Sequence, residues 1–440
     1  MSRRKTFHLE SLGCAKNQVD SERVIACLER EGWDYVAEPQ AADVILVNTC
    51  AFTDDAQRES VDTSLRLRAD FPHKCIVMTG CLPQRYGATL HREMKEIDGF
   101  LGDRDQAKSH QLLLKALSGE RPLIVEQARS LASLASLDRT RLLSYPGSAY
   151  VKVAEGCSNH CSYCAIPGIR GELISRPRRG IVDEVRSLVA RGVVELNLVA
   201  QDLGSYGVDQ GQVGLCQLLR EIATIKATFW IRLLYIHPDH FPEGILDLVA
   251  DDPRFLPYFD IPFQHASKRI LSAMGRQGDS DTYLKLISRI RQRLPHAVVR
   301  STFLVGFPGE DDEDFSRLLD FQKRAALDWL GVFVYSPQAG TRSYTMKPKV
   351  PKGKALSRKL RLEQAQIPVT GLRLERFLGR PLDVIVEEKV ASEQMVLARG
   401  YPQAPEVDGS VVVKARDLLP GQLVRVRITR RNGFDLEGEA

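Results

Sequence analysis

Short apolar, β-branched runs at 5–11, 43–48 and 75–79 alternate with helix-like stretches at 20–31, 54–69 and 84–95. Such runs are typical of strands buried on both faces, and the alternation predicts a parallel sheet covered by helices. Residues 119–148, with Ser, Leu, Arg and a Pro-Gly step, break the rhythm and read as a linker. The rhythm then resumes. Strands are predicted at 149–154, 193–200, 230–236, 258–263, 297–305 and 331–335, and helices at 178–191, 214–226, 282–294 and 313–326. Six consecutive strand–helix units predict a partial (β/α)6 barrel with its site at the C-terminal ends of the strands. The next stretch, 345–371, carries seven Lys/Arg and one Glu, and Pro368 is expected to interrupt any helix there. Five last runs, at 382–388, 394–399, 411–414, 423–429 and 435–439, are separated by Gly, Pro and Asp, as in a small antiparallel β-barrel. The fold class is therefore α/β, with expected domains at 1–143, 144–371 (barrel and basic connector) and 372–440.

Composition narrows the class without choosing a function. The chain has 440 residues, 43% hydrophobic and 27% charged, which excludes a disordered polymer and suits several domains. Lys plus Arg (61) barely exceeds Asp plus Glu (56), a small surplus for a dedicated nucleic-acid binder. The terminal block is near neutral, with nine Lys/Arg and ten Asp/Glu from 379 onward. No apolar run approaches the roughly 18 residues that span a bilayer. Phe7-His8-Leu9-Glu10 offers no apolar signal core behind the basic start. No membrane partner and a cytoplasmic location are expected.

The nine cysteines change the picture. An odd number argues against a disulfide framework and for reduced thiols with a task. Cys157-x3-Cys161-x2-Cys164 follows the first strand of the barrel, on the loop that opens at the catalytic face. Three thiolates so spaced can hold three irons of a [4Fe–4S] cluster and leave the fourth open. A zinc site completed by His160 is the competing assignment. Cys14, Cys50 and Cys81 lie far apart in sequence, yet each sits just past a strand of the first sheet. Parallel strand ends share one edge, where open α/β sheets bind ligands, so these three suggest a second open-sited cluster over scattered core thiols. Cys27, Cys75 and Cys216 lack that address and read as buried thiols.

The spacing and position of Cys157, Cys161 and Cys164 resemble the radical S-adenosylmethionine (SAM) enzymes. That resemblance implies that the open iron chelates SAM and that the sulfonium is cleaved to a 5′-deoxyadenosyl radical. It places Tyr163 by the adenine, unless the ring merely covers the barrel mouth. It gives Gln201, where many relatives carry Gly-Gly-Glu, a contact to the SAM amino group, with a strand-end cap as the alternative. Gly306 and Gly309, in Gly306-Phe307-Pro308-Gly309-Glu310, would pass the ribose or adenine, or form a plain tight turn. Arg300 would pair with the SAM carboxylate, or make an ordinary ion pair. His237 and His265 are assigned structural places.

Two cysteine triads followed by a small barrel resemble the methylthiotransferases, which join a cluster domain, a radical-SAM barrel and a TRAM domain in this order. Finer motifs resemble the RimO-like, ribosomal-protein branch: Gly13-Cys14-Ala15-Lys16-Asn17-Gln18-Val19-Asp20-Ser21-Glu22, Gly80-Cys81-Leu82-Pro83-Gln84-Arg85-Tyr86, Cys164-Ala165-Ile166-Pro167-Gly168-Ile169-Arg170-Gly171 and Ala404-Pro405-Glu406-Val407-Asp408-Gly409. The resemblance implies a methylthio group added to the β-carbon of an aspartate of small-subunit ribosomal protein S-twelve. It also implies two [4Fe–4S] clusters, one presenting sulfur and one generating the radical, with SAM consumed at both steps. A flavodoxin or ferredoxin-type electron donor is expected, and a monomer. Two alternatives stay open: a tRNA adenosine methylthiotransferase of the same architecture, and a zinc-stabilised RNA-binding or assembly factor. The basic connector reads as a solvated face or as a dock for ribosomal RNA.

Overall fold

A computed structural model describes residues 4–104, 106–128, 139–211, 214–390, 394–415 and 417–440. The first sheet has six strands: β1 (Thr6–Ser11), β2 (Asp34–Tyr35), β3 (Val44–Thr49), β4 (Cys75–Gly80), β5 (Gly99–Gly102) and β6 (Leu123–Ile124). Their order is β2-β1-β3-β4-β5-β6, and all pair in parallel. Every residue of β3 is buried, as its unbroken apolar run requires of a central strand. Helices α1 (Ala15–Arg30), α2 (Asp54–Asp70) and α3 (Cys81–Glu93) follow β1, β3 and β4. β2, β5 and β6 are too short to stand out as patterns. β6 falls inside the expected linker, of which residues 129–138 lie outside the described residues.

The second sheet runs β14-β13-β12-β11-β10-β7, again all parallel. Its strands are β7 (Ser148–Lys152), β10 (Glu195–Val199), β11 (Trp230–Leu233), β12 (Phe255–Asp260), β13 (Val298–Val305) and β14 (Trp329–Val334). A two-stranded ribbon, β8 (Ala154–Glu155) with β9 (Ile174–Ser175), frames the loop after β7. Strand alternation divides the faces. Val151, Leu198, Leu233, Phe259 and Val299 pack beneath helices in one core. Tyr150, Val199, Tyr258 and Val298 face the other way and meet Val19 of α1 and the third domain. The polar Lys152, Asn197, Arg232 and Asp260 share the strand parity of that second face and are buried.

The third domain is a closed barrel, β15 (Pro381–Val390), β16 (Met395–Gly400), β17 (Val411–Lys414), β19 (Asp435–Glu439) and β18 (Leu423–Asn432) in that order. All five expected strands are present. Four pairings are antiparallel, while β17 and β19 run parallel where the barrel closes.

The connector departs from expectation. Lys352–Glu375 is one helix of 24 residues with Pro368 inside it. A buried stripe of Ala355, Arg358, Leu362, Gln366, Thr370 and Leu374 holds it against the barrel. Gln366 Nε2 donates to Leu327 O at 2.8 Å and Thr370 Oγ1 to Asp328 O at 2.8 Å, one on each side of the proline. These contacts offset the roughly 3 kcal/mol that an interior proline costs a helix. Three of the connector's seven cations are paired: Lys354 with Asp312, Arg358 with Glu310 and Asp312, and Lys359 with Glu363.

Buried charges hold the domains together. Glu195 of β10 takes Arg232 at 3.0 Å and Arg399 of β16 at 2.5 Å, all three fully or nearly fully buried. Arg139 bridges Glu22 of α1 (2.6 Å) and Glu184 of the Arg178–Ala190 helix (2.5 Å). Lys152 of β7 meets Asp20 of α1 and Glu155. Among the described residues no helix is long and apolar enough to cross a membrane.

Candidate active site

β1, β3 and β4 lie side by side with their C-terminal ends level: Ser11 pairs with Asn48, and Thr49 with Gly80. This alignment brings Cys14, Cys50 and Cys81 to one edge. Cys14 is the N-cap of α1, Cys50 is the first residue after β3, and Cys81 opens α3. Gly13 has φ +92°, and a Cβ there would lie 2.8 Å from Cys50 Cβ; Gly80 has φ +95°, and its Cβ would lie 2.2 Å from Asn48 Oδ1. Only glycine lets both cysteines follow so tight a turn. Asn17 Nδ2 donates to Leu12 O and Thr49 O, both at 2.9 Å, while Asn48 Nδ2 donates to Asn17 O at 2.9 Å. The strand ends are thus clamped by side chains beneath the thiols.

Electrostatics grade the three. Cys81 is buried, Cys50 half-buried, and Cys14 reaches solvent. Desolvation pushes the Cys81 thiol far above its ordinary value, with Arg170 opposing. Cys50 is raised by desolvation and by its neighbour Cys14. Around Cys14 desolvation also raises the pKa, but Lys16, Arg170 and the N–H groups of Asn17 and Lys16 outweigh it. Cys14 therefore ends below the usual thiol range, as helix N-termini and nearby cations produce.

The barrel triad sits in the loop after β8. Gly156, at φ +68°, passes so close to the neighbouring backbone that a Cβ would lie 2.0 Å from Glu172 O. Cys157 N donates to Gly171 O at 3.0 Å, and Ser162 N to Met274 O at 2.8 Å. Asn159 Nδ2 donates to Asp202 Oδ2 at 2.9 Å, tying the loop to the end of β10. Desolvation pushes Cys157 up to about 11, Cys164 to about 12, and Cys161 above its ordinary value. His160 is exposed. Among the described residues no group of three or more His, Cys, Asp and Glu is set to hold a single ion.

One side chain joins the triads. Arg170 ends the short helix Ile166–Arg170, directly after Cys164, and is buried. Its Nη2 donates to Asn17 Oδ1 at 2.6 Å and to Cys81 Sγ at 3.3 Å; its Nη1 donates to Asp20 at 2.8 Å and Glu155 at 3.2 Å, with Asp103 at 3.7 Å. Arg170 falls within a sequence motif, but no local pattern gives it a role, because its partners lie up to 153 positions away.

The other expected contacts divide. Gln201 stands past the end of β10, and both atoms of its side-chain amide are buried without a hydrogen-bond partner. A buried orphan amide next in sequence to Asp202, which holds the cysteine loop through Asn159, suits a bound polar head group. With three soft thiol donors in each triad, the residues present fit iron–sulfur clusters and SAM. Tyr163 packs against Ile270, Met274, Leu304, Phe307 and Tyr335 beneath the loop.

Arg300 makes an ion pair, the alternative open to it. It pairs with Asp260 at 3.1 Å and with Asp408 of the third domain at 3.4 Å, so its charge is already taken by protein carboxylates. Asp408 also accepts from Tyr258 Oη at 2.6 Å and Ala404 N at 2.8 Å, which plugs segment 404–409 into the inner face of the barrel. Gly306 has φ +76°, but the room a Cβ would need is filled by Ala355 of the long helix, 2.5 Å away. Gly309 N donates to Pro348 O at 2.8 Å. This turn is closed by Glu310, which accepts from Gly306 N and pairs with Arg358. On the side where a Cβ would stand, the close approach is made by the long helix. Gly306→Ala should accordingly lower stability by about 1–3 kcal/mol through overpacking and a disfavoured φ, seen as a lower thermal midpoint. His237 accepts from Arg276 at 3.0 Å and His265 from Ser267 N at 3.0 Å; burial holds both near 3, so both stay neutral.

Three family models match the chain in order: uncharacterized protein family UPF0004 over 6–102, the radical SAM superfamily over 151–321, and the TRAM domain over 378–440. A ribosomal protein uS12 methylthiotransferase RimO of Treponema denticola is 40% identical, with 97% of this chain and 99% of that one covered. The chain belongs to the RimO methylthiotransferase family. A second RimO, from Sorangium cellulosum, is 40% identical over 100% of this chain and 91% of its own. RimO membership makes the chain a radical-SAM enzyme that uses SAM and [4Fe–4S] chemistry. Among solved structures, the radical SAM methyltransferase TsrM of Kitasatospora setae, with cobalamin and a [4Fe–4S] cluster bound, has a TM-score of 0.60 at 17% identity, covering 78% of this chain and 77% of that one. The cobalamin-dependent radical enzyme OxsB has 0.54 at 11% identity, covering 82% and 56%. These two likenesses are of fold.

Proposed function

We propose that the chain adds a methylthio group to the β-carbon of a specific aspartate of ribosomal protein uS12. Cys157, Cys161 and Cys164 would hold one [4Fe–4S] cluster, and Cys14, Cys50 and Cys81 a second. The observation that carries this is the pair of thiol triads, one on three strand ends and one in a single loop, joined through Arg170, which donates to Cys81 Sγ from the short helix that follows the other triad. When bound, SAM and the clusters supply a hydrogen-abstracting radical at one triad and sulfur at the other.

The chain's own residues bind, orient and shield. Gln201 offers an unspent buried amide just past the end of β10. The buried pairs Lys152–Asp20 and Arg139–Glu22 hold α1, and with it Cys14, against the barrel. Much of the rate enhancement in such an arrangement is positional, since the reacting carbon must reach both triads in one geometry. The working units are taken as 1–143, 144–371 and 372–440, in a cytoplasmic monomer served by a flavodoxin or ferredoxin-type donor.

A protein substrate is favoured over tRNA by charge. The third domain is near neutral, and Lys354, Arg358 and Lys359 of the long helix are paired. A tRNA grip needs surplus Lys/Arg for phosphates. Reconstituted enzyme given SAM, reductant and either substrate should add one methylthio increment to uS12, read by mass spectrometry, and none to tRNA. The reverse pattern overturns the proposal. Stoichiometric zinc without iron or sulfide after anaerobic purification would replace it by the non-catalytic binder.

A further inference from the structure

The barrel's inner face is lined with cations, and nearly all are engaged by carboxylates. Arg300 meets Asp260 and Asp408, Lys152 meets Asp20 and Glu155, and Arg232 meets Glu195. Lys16 differs. It lies two residues past Cys14, and its Nζ stands 3.6 Å from the ring centroid of Tyr235. Tyr235 follows the end of β11 at φ +65°, a left-handed conformation that a bulky side chain rarely adopts. Backbone strain of this kind is held in place by surrounding structure and concentrates at functional sites. A ring face attracts an ammonium but takes up few of its hydrogen-bond donors, so Lys16 is positioned with donors to spare and no carboxylate partner among the described residues.

We infer that Lys16, poised on the Tyr235 ring beside Cys14, takes the carboxylate of the substrate aspartate. This rests on the reading proposed above and deepens it. The reacting β-carbon of an aspartate is bonded directly to its carboxyl carbon. A cation that grips the carboxylate therefore fixes the reacting carbon to within one bond, next to the triad that would present sulfur. Arg300 cannot serve, because Asp260 and Asp408 hold it. Lys16 is thus both a positioning and a specificity-determining residue, selecting an acidic side chain over its amide.

The test measures Kd of reconstituted enzyme for uS12 and for uS12 with the target aspartate changed to asparagine, in wild type, Lys16→Met and Lys16→Arg. A charge-assisted hydrogen bond makes the wild type prefer the aspartate form by about tenfold to a hundredfold. Lys16→Met should bring that ratio close to one, and Lys16→Arg should restore part of it. Iron and sulfide content serve as the folding control for each variant. A wild-type ratio retained in full by Lys16→Met overturns the inference while leaving the proposed function standing. Failure of the wild type to bind or modify uS12 overturns the reading on which both rest.

Discussion

Cys157→Ala should abolish 5′-deoxyadenosine formation while leaving the other triad able to assemble its cluster, and Cys50→Ala should do the reverse. The triads lie on separate elements: one in the loop after β8, the other on three strand ends of the first sheet. With two clusters, iron should fall from about eight to about four per chain in either variant. Cys157→Ala then loses SAM cleavage and product together. Cys50→Ala retains deoxyadenosine formation but yields no methylthio product. The split is read by chromatography of deoxyadenosine, iron and sulfide assays, and mass spectrometry of the substrate. Each variant should also melt lower, because a group bound only by the native state adds to stability. A methylthio product from Cys50→Ala would refute the assignment of the N-terminal triad.

Arg170→Gln should be the most damaging change outside the cysteines. The guanidinium is buried among Asp20, Glu155 and Asp103, with Lys152 the neighbouring cation. Removing one partner from such a cluster leaves uncompensated buried charge, a loss of about 3–5 kcal/mol. The thermal midpoint of the cluster-free chain reports it. A second readout separates position from mere stability. Arg170 donates to Cys81 Sγ, and donors to a ligand sulfur raise a cluster's reduction potential. Loss of that donor should lower the potential of the N-terminal cluster, followed by redox titration with electron paramagnetic resonance, and leave the barrel cluster unmoved. Arg170→Lys keeps the charge but not the fork that reaches Asn17, Cys81 and Asp20 at once, so it should recover part of the stability and little of the potential. An unchanged potential and midpoint in Arg170→Gln would show that this bridge does nothing.

The legible part of the molecule was the part written in local pattern. Buried parallel strands announce themselves as apolar runs, which is why β3, β4 and the barrel strands were visible, and why three cysteines could be placed at strand ends. Short edge strands such as β2 and β6, of two residues each, carry no period to detect. Pro368 misled because helix propensity is local, whereas the buried stripe and the clamps from Gln366 and Thr370 are not. Gly306 and Arg300 show a different kind of non-local effect. Each has the residue type that a cofactor contact wants, but Ala355 fills the space beside one and Asp260 with Asp408 takes the charge of the other.

From its sequence alone this chain determined three folding units, two sets of three thiols and a near-neutral terminal barrel, because strand periodicity, cysteine spacing and net charge are properties of short segments. Only the tertiary structure decided which charges meet. Arg170 reaches Cys81 from 89 positions away, Arg399 reaches Glu195 from 204, and Lys16 settles on Tyr235. A buried ion must find its partner wherever the fold brings one, and no local pattern encodes that distance.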